Sequence, residues 1–498
     1  MSARPRLHRF VTILLVLAGI AALTVSTAGA APAGRPASVR AAQPNVVVIM
    51  VDDMNVFALQ YLNNVRSLLA EPGTTFDNSV VSYSLCCPSR ATFLTGQYAH
   101  NHGVLDNAPP DGGYEKLPAA ETLPVWLSRA GYDTGHVGKF LNRYGRADPT
   151  EIPPGWAEWY GSVDPSTYRM WGYTLNENGV LRTYGTPDVE DPALYQTDVY
   201  ARKAVDFIQR KAPADKPFFL SFAPLAPHGE GGLESPQRNP RPAPRHLGAL
   251  DDVTLPKPPS FDEADVSDKP AAVRNRPRIG PAAEQRMQNV TLKGRLESLL
   301  AVDEAVADIV GALRESGELD GTLIVFTSDN GWMQGEHRIR SGKVVPYEES
   351  IRVPLIMRGP GLPAGRHVKT IAANIDLAPT ILDAADAPAG VVLDGRSLLP
   401  IVDDTTAIAR GIVIENGPKT NGSNWYVGLR AARWKYIEHS TGELELYDLQ
   451  RDPYELTSVH ADPRYAGTRQ ALAQRLAQLR ACAGAACHRW TPVPAPRP

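Results

Sequence analysis

Two adjacent cysteines, Cys86 and Cys87, stand near the start of a segment of helical character that runs through Pro88, Ser89 and Arg90 to Gly96. The first turn of a helix carries unpaired backbone N–H groups and the positive end of the helix dipole, so a cysteine there meets an environment that favours a bound anion. Arg90 adds a fixed guanidinium. The pattern reads as the nucleophile of a hydrolase, although a bare Cys-Cys is also compatible with a buried apolar pair or half of a zinc site. A second chemical theme lies elsewhere in the chain. The apolar run 45–51 ends in Asp52-Asp53, and the run 323–326 ends in Thr327-Ser328-Asp329-Asn330. A lone Asp-Asp would read as a solvated turn or a helix N-cap. Its repetition as Asp-Asn gives an oxygen-rich set suited to hard cations such as Ca²⁺ or Mg²⁺, with no His or thiolate cluster to suit zinc.

The spacing Cys86-x-Pro88-x-Arg90 resembles the signature of the formylglycine-dependent sulfatases. In that family a separate enzyme oxidises the cysteine to an aldehyde, formylglycine (3-oxoalanine), whose hydrate attacks sulfur. Cys87 has Ser89 and Ala91 at the corresponding places, so the resemblance selects Cys86. It implies one Ca²⁺ ion held by Asp52, Asp53, Asp329, Asn330 and the modified Cys86. It further implies that Arg90 holds the aldehyde hydrate and that the sulfate is bound by Lys139 of Gly138-Lys139-Phe140, by His228 of Pro227-His228 and by Lys343 of Ser341-Gly342-Lys343, with Lys343 or His337 of Gly335-Glu336-His337 assisting the leaving oxygen.

One position departs from the pattern. Many sulfatases carry a histidine two places after this lysine, and here that place is Leu141. The helper that releases sulfate is therefore missing, or supplied by Asn142 or His136. The Lys139-Phe140-Leu141-Asn142 run resembles a subgroup like the N-acetylglucosamine-6-sulfatases. The implied activity is hydrolysis of a sulfate ester, of a sulfated sugar or an aryl alcohol, with a formylglycine-generating enzyme as the partner in maturation. Two rivals remain: a phosphonate or phosphodiester hydrolase on the same scaffold, and a secreted glycan-binding protein without turnover.

The elements that must position these residues follow from hydrophobic patterning. Runs 45–51, 217–222, 323–326 and 353–358 read as core strands of a mostly parallel sheet, the first a continuous apolar run as a strand buried on both faces is, and 132–137 reads as the strand of a helix-strand unit. Lys139, His228 and the two acidic pairs then fall at or just beyond strand ends, where open α/β sheets place their ligands. Residues 123–130, 297–316 and 375–385 read as helices. Short β-branched or aromatic runs at 411–415, 425–429, 434–438 and 443–449, divided by turn signals, read as a small antiparallel sheet with a helix over 468–479. The expected fold is α/β: a large mixed, mostly parallel sheet sandwiched by helices, alkaline-phosphatase-like by the resemblance, with a smaller C-terminal antiparallel sheet plus helix.

The expected organisation is a signal peptide over 1–30, a leader over 31–43, a catalytic domain over 44–400 with an irregular insertion at 229–290, and a small α+β subdomain over 401–498. The signal peptide is read from Arg4, Arg6 and Arg9, an apolar run and Ala28-Gly29-Ala30, and it implies secretion. That run is shorter than the ~20 residues of a spanning helix, so no stable membrane association is expected. A net charge of -3 over 498 residues, with no basic stripe, argues against nucleic acid. Cys482 and Cys487 fit a small-loop disulfide in an oxidising compartment, or two free thiols. Asn289-Val290-Thr291 and Asn421-Gly422-Ser423 fit a glycosylation tripeptide and receive no function.

Overall fold

The computed structural model describes residues 43–231, 239–402, 409–420 and 422–496. The expected signal peptide, nearly all of the leader, part of the insertion and Asn421 lie outside the described residues. Among the described residues no helix is long and apolar enough to cross a membrane.

The strands, in chain order, are β1 Asn45–Val51, β2 Thr74–Phe76, β3 Ser79–Val80, β4 Asp133–Gly138, β5 Glu158–Ser162, β6 Tyr173–Glu177, β7 Val180–Tyr184 and β8 Phe218–Ala223. They continue with β9 Thr322–Ser328, β10 Leu355–Arg358, β11 Arg366–Val368, β12 Ala372–Ala373, β13 Gly411–Asn416, β14 Tyr426–Ala431, β15 Trp434–His439 and β16 Leu444–Asp448. Ten of these form one sheet in the order β11-β2-β10-β9-β1-β8-β4-β5-β6-β7. β1 lies at its centre, parallel to both β8 and β9, and β4 extends the parallel set beside β8. β10 joins antiparallel to β9, and β6 and β7 close the far edge as an antiparallel ribbon.

The unbroken apolar run of β1 has a direct cause. Val47, Ile49 and Val51 face one layer, with Val302, Val306 and Ile309 of helix Lys293–Glu315. Val46, Val48 and Met50 face the other, with Ala91 and Leu94 of helix Cys86–Thr95 and Leu377 and Ile381 of helix Leu377–Ala384. A strand covered on both sides has no polar face to show.

The expected helices are present with shifted ends. The long one starts at Lys293 after a wide helical turn at Met287–Leu292, and that at Leu377 follows a tight turn at Asn374–Asp376. The Asp376 carboxylate accepts the Ala373 N–H at 2.9 Å and ends the extended chain there. Strands β5, β6, β7, β2 and β11 were not among the expected elements; they are short or lie towards the sheet edges, where side chains need not be apolar.

β13 to β16 form the separate four-stranded antiparallel sheet, with helix Ala466–Leu479 packed on β14 and β15. Cys482 and Cys487 are bonded just beyond it. Arg410, at the start of β13, ties this sheet to the main body through two contacts to Asp376, at 2.8 and 3.0 Å, both groups buried. Removing one partner of a buried ion pair strands the other charge, so Arg410→Ala is expected to cost about 3–5 kcal/mol of stability in denaturant melts.

Candidate active site

Helix Cys86–Thr95 begins at Cys86, and Leu85 before it supplies no side-chain cap. Pro88 stands in the first turn, where its missing N–H costs no hydrogen bond, and Gly96 ends the helix in the left-handed conformation. Asn107 Oδ1 accepts the Cys87 N–H at 3.0 Å. The two thiols part company. Cys87 packs into the apolar layer behind the helix, where burial pushes its thiol up to about 12. Cys86 faces the other groups: its Sγ lies 3.5 Å from Asp52 Oδ1 and 2.7 Å from Lys343 Nζ. Burial, with Asp52 alongside, raises the Cys86 thiol far above its usual range.

The strand ends deliver the rest. Asp52 and Asp53 follow β1, Asp329 and Asn330 follow β9, Lys139 follows β4, and His228 leaves the loop after β8. Lys139 pairs with Asp52, and Lys343 with Asp53. Arg90 donates to Asp329 Oδ2 at 2.8 Å and to the Lys139 carbonyl at 2.9 Å, and its outer nitrogen stands 3.7 Å from Asp52. Asn330 donates to Asp53 Oδ1 at 2.6 Å, and the Asp53 N–H donates to Asp329 Oδ1 at 3.1 Å. His228 Nε2 is 3.7 Å from Asp53 Oδ2. Asp53 itself sits at φ +68°, a conformation a non-glycine residue rarely adopts.

Burial opposes every charge in this group, and the cations outweigh it for the acids. Against desolvation, Lys139 and then His228 hold the Asp52 carboxyl down at about 2. Lys343 and His228 likewise lower Asp53. The acids reciprocate, holding Lys139 and Lys343 above the ordinary lysine range despite burial. Burial lowers His228, against the pull of Asp52 and Asp53.

Ligand atoms of Asp52, Asp53, Cys86 and His228 lie within 4.8 Å of one another. Asp53 Oδ2 and Asn330 Oδ1 are buried acceptors with no hydrogen-bond donor. Buried acceptors without donors are costly, and a cation among them removes that cost. The residues present fit a metal ion.

The structure thus brings Cys86, Arg90, Lys139, His228, Lys343, Asp52, Asp53, Asp329 and Asn330 into one cluster. His337 is held differently. Its Nδ1 is 2.6 Å from Glu263 Oε2 and its ring lies against Tyr347, with no hydrogen bond to any of the cluster among the described residues. His136 is also committed elsewhere, to Ser221 and the Gly138 carbonyl and stacked on Trp159. Leu141 points into the apolar layer. Asn142 donates to the Tyr168 hydroxyl, and the Tyr168 ring lies 4.9 Å from Lys139 Nζ and 5.1 Å from the His228 ring.

Sequence reasoning missed Tyr168 and Arg295. Arg295 donates to the carbonyls of Asp53 and Pro227, holding the strained turn after β1. Its signal was present: position 295 falls on the apolar stripe 292, 296, 299, 302, 306 of a helix, where an arginine needs buried acceptors. Tyr168 lies on a short turn between strands and carries no pattern of its own.

The sulfatase family profile matches residues 44–387, and that of the N-sulphoglucosamine sulphohydrolase C-terminal region matches 335–482. The chain belongs to the sulfatase family. It is a sulfuric ester hydrolase with the alkaline-phosphatase-like fold. An arylsulfatase of Volvox carteri is 35% identical over 97% of this sulfatase and 79% of its own length. The human N-acetylglucosamine-6-sulfatase is 32% identical, covering 89% and 86%. A protein solved with its substrate D-glucosamine-2-N,6-O-disulfate superposes at a TM-score of 0.71 with 26% identity, over 87% of this sulfatase and 97% of that chain. A phosphonate monoester hydrolase from Silicibacter pomeroyi shares the fold, at a TM-score of 0.67 and 23% identity over 88% and 95%.

Arg90 tests the geometry of the sulfatase site. Arg90→Lys keeps the charge but cannot reach Asp329 and the Lys139 carbonyl together. It is expected to lower kcat/KM for an aryl sulfate at least about tenfold and, through lost charged hydrogen bonds, stability by about 1.5–3 kcal/mol.

Proposed function

We propose that this sulfatase removes sulfate from a sulfated sugar, an amino-sugar 6-sulfate by preference, using formylglycine formed from Cys86 and one calcium ion. The observation that carries the reading is the position of Cys86 Sγ, at a helix N-terminus and in contact with both Lys343 and the acidic cluster. The sugar is suggested by the names of the N-acetylglucosamine-6-sulfatase relative and of the structure holding a sulfated glucosamine. An aryl sulfate is the laboratory alternative, after the arylsulfatase relative.

Asp52, Asp53, Asp329 and Asn330, with the oxidised residue 86, would hold the calcium. All offer oxygens, the donor type a hard cation takes. When bound, calcium supplies charge neutralisation and a template for the sulfate oxygens. The aldehyde hydrate at position 86 supplies a hydroxyl nucleophile and a second hydroxyl through which sulfate is shed, a route a serine or a thiolate would not have.

The chain's own residues do the remaining work. A sulfate ester repels nucleophiles through its negative oxygens. Lys139, Lys343, Arg90 and His228 form a preorganised cationic and donor wall around that charge, each donor worth roughly 3 kcal/mol in the transition state. Because Asp52 and Asp53 keep both lysines protonated, Lys343 can bind a sulfate oxygen or give its proton to the leaving alcohol. Arg90 holds Asp329 and the Lys139 loop in register. Asn142, through the Tyr168 hydroxyl, orients the Lys139 and His228 side of the site.

Residues 44–400 act as the catalytic domain and 401–498 as the small subdomain. The protein is exported behind its signal peptide, after a formylglycine-generating enzyme has acted on Cys86; the bonded Cys482 and Cys487 suit an oxidising compartment.

Cys86→Ala is expected to abolish sulfate release, while Cys87→Ser retains most of it and still yields a peptide mass showing the aldehyde at 86. Equal loss in both variants, or an unmodified Cys86 in active protein, would exclude this route. Sulfate release from 6-sulfated glucosamine and N-acetylglucosamine is expected to exceed that from other sugar sulfates and the hydrolysis of phosphate mono- and diesters. A preference for phosphodiesters would favour the rival hydrolase.

A further inference from the structure

A second group of donor atoms lies in the loop that leads to Lys343 and in the segments beneath it. His337, Glu349 and Glu455 each offer one ligand atom, and the three lie within 4.8 Å of one another. His337 is fully buried. Its Nδ1 faces Glu263 Oε2 at 2.6 Å, and the Tyr347 ring, at 4.2 Å, fixes the imidazole plane. Donation from Nδ1 to a carboxylate leaves Nε2 carrying the lone pair, and Nε2 has no hydrogen-bond partner. Metal-bound histidines are set up in this way, with the distal N–H on a carboxylate.

The local charge balance points the same way. Arg430 spans both oxygens of Glu348 at 2.8 and 2.9 Å. Lys435 bridges Glu348 and Glu455 at 2.8 and 2.6 Å, and Lys269 meets Glu263 at 3.2 Å. Glu336 and Glu349 are left without a salt-bridge partner among the described residues, and Glu349 Oε2 is buried without a donor. Both line one cavity of about 480 Å³, walled by Phe57, Pro258 and Tyr454, through which an ion can arrive. Arg352 on the same wall donates to the Asp77 carbonyl, and Lys257 pairs with Glu284. A cation beside the imidazole lone pair would give the buried, donor-less Glu349 oxygen a partner.

We propose that His337 Nε2, Glu349 and Glu455 form a second cation site, with a donor set distinct from the oxygen cluster beside Cys86, which takes a divalent transition ion of the zinc or manganese type. One imidazole nitrogen with carboxylate oxygens suits such ions better than calcium. The ion clamps three separate segments together: the loop at 337, helix Glu348–Ile351 and the chain after β16. Lys343 lies between the first two, so the clamp fixes the loop that brings Lys343 to Cys86.

The test is zinc or manganese uptake by the full-length protein, stripped with EDTA and reloaded with calcium, followed by calorimetry and elemental analysis. One equivalent of Zn²⁺ or Mn²⁺ per chain is expected. Glu349→Gln and Glu455→Gln each weaken it at least roughly tenfold, whereas Asp53→Asn, which removes a negative charge from the other site, leaves it in place. If either glutamate variant does not fold, the wild-type titration decides alone. No uptake by calcium-loaded wild type, or equal uptake by folded variants, overturns the proposal and leaves His337 a structural residue held by Glu263. Loss of uptake in Asp53→Asn with retention in the glutamate variants also overturns it, by assigning the ion to the Cys86 site.

Discussion

Three carboxylates, Asp52, Asp53 and Asp329, are buried side by side at the centre of the large sheet. Burial opposes the ionisation of Asp52 and Asp53, and Lys139 and Lys343, buried with them, hold both as anions, while Arg90 pairs with Asp329. This balance governs the site. Each cation is held by an acid rather than left to find the substrate, and each acid depends on its cation, so loss of one group strands another. Preorganisation of this kind costs stability at folding and saves reorganisation at the moment of reaction.

The sheet makes that concentration of charge possible. Parallel strands β1, β9, β8 and β4 all end on one side of the molecule, and the chain beyond each end carries one part of the cluster. β1 and β9, adjacent and in register from Asn45 opposite Thr322 to Val51 opposite Ser328, bring the two acidic pairs together. Helix Cys86–Thr95 lies across the same edge and adds its N-terminus and Arg90. It also resolves the cysteine pair physically: one residue of rotation about the helix sends Cys87 into the apolar layer and leaves Cys86 facing the charges. The strain of Asp53 is absorbed by Arg295 from the opposite layer.

No strand end carries the Lys343 loop. Backbone bonds pin it on either side of Lys343, from the Met333 N–H to the Gly342 carbonyl and from the Val344 N–H to the Ser84 carbonyl, and a buried polar network lies beneath, running from Glu263 and His337 to Glu348, Lys435 and Glu455. That network joins the segment 239–290, the loop and the small C-terminal sheet. Residues far from the sulfur chemistry therefore have a physical route to the position of Lys343, and the small sheet acts as support for the site.

Much of this was open to reading in the chain alone, and for identifiable reasons. β1, β8 and β9 announce themselves because burial on both faces forces continuous apolar runs, and the acids that end them stand out against that background. The Cys86-x-Pro88-x-Arg90 spacing separates the two cysteines without coordinates. Short strands such as β2 and β11, and the residues Tyr168 and Arg295, were not readable in the same way, since what defines them is their neighbours. The sequence by itself determined which groups carry charge, which runs form the central sheet and which cysteine matches the sulfatase signature. Only the tertiary structure decided the pairing of Lys139 with Asp52 across 87 residues and of Lys343 with Asp53 across 290, and the turning of His337 toward Glu263. Local pattern reports what a residue is and which face it occupies; the partner of a buried charge is chosen by packing, where desolvation leaves no unpaired alternative.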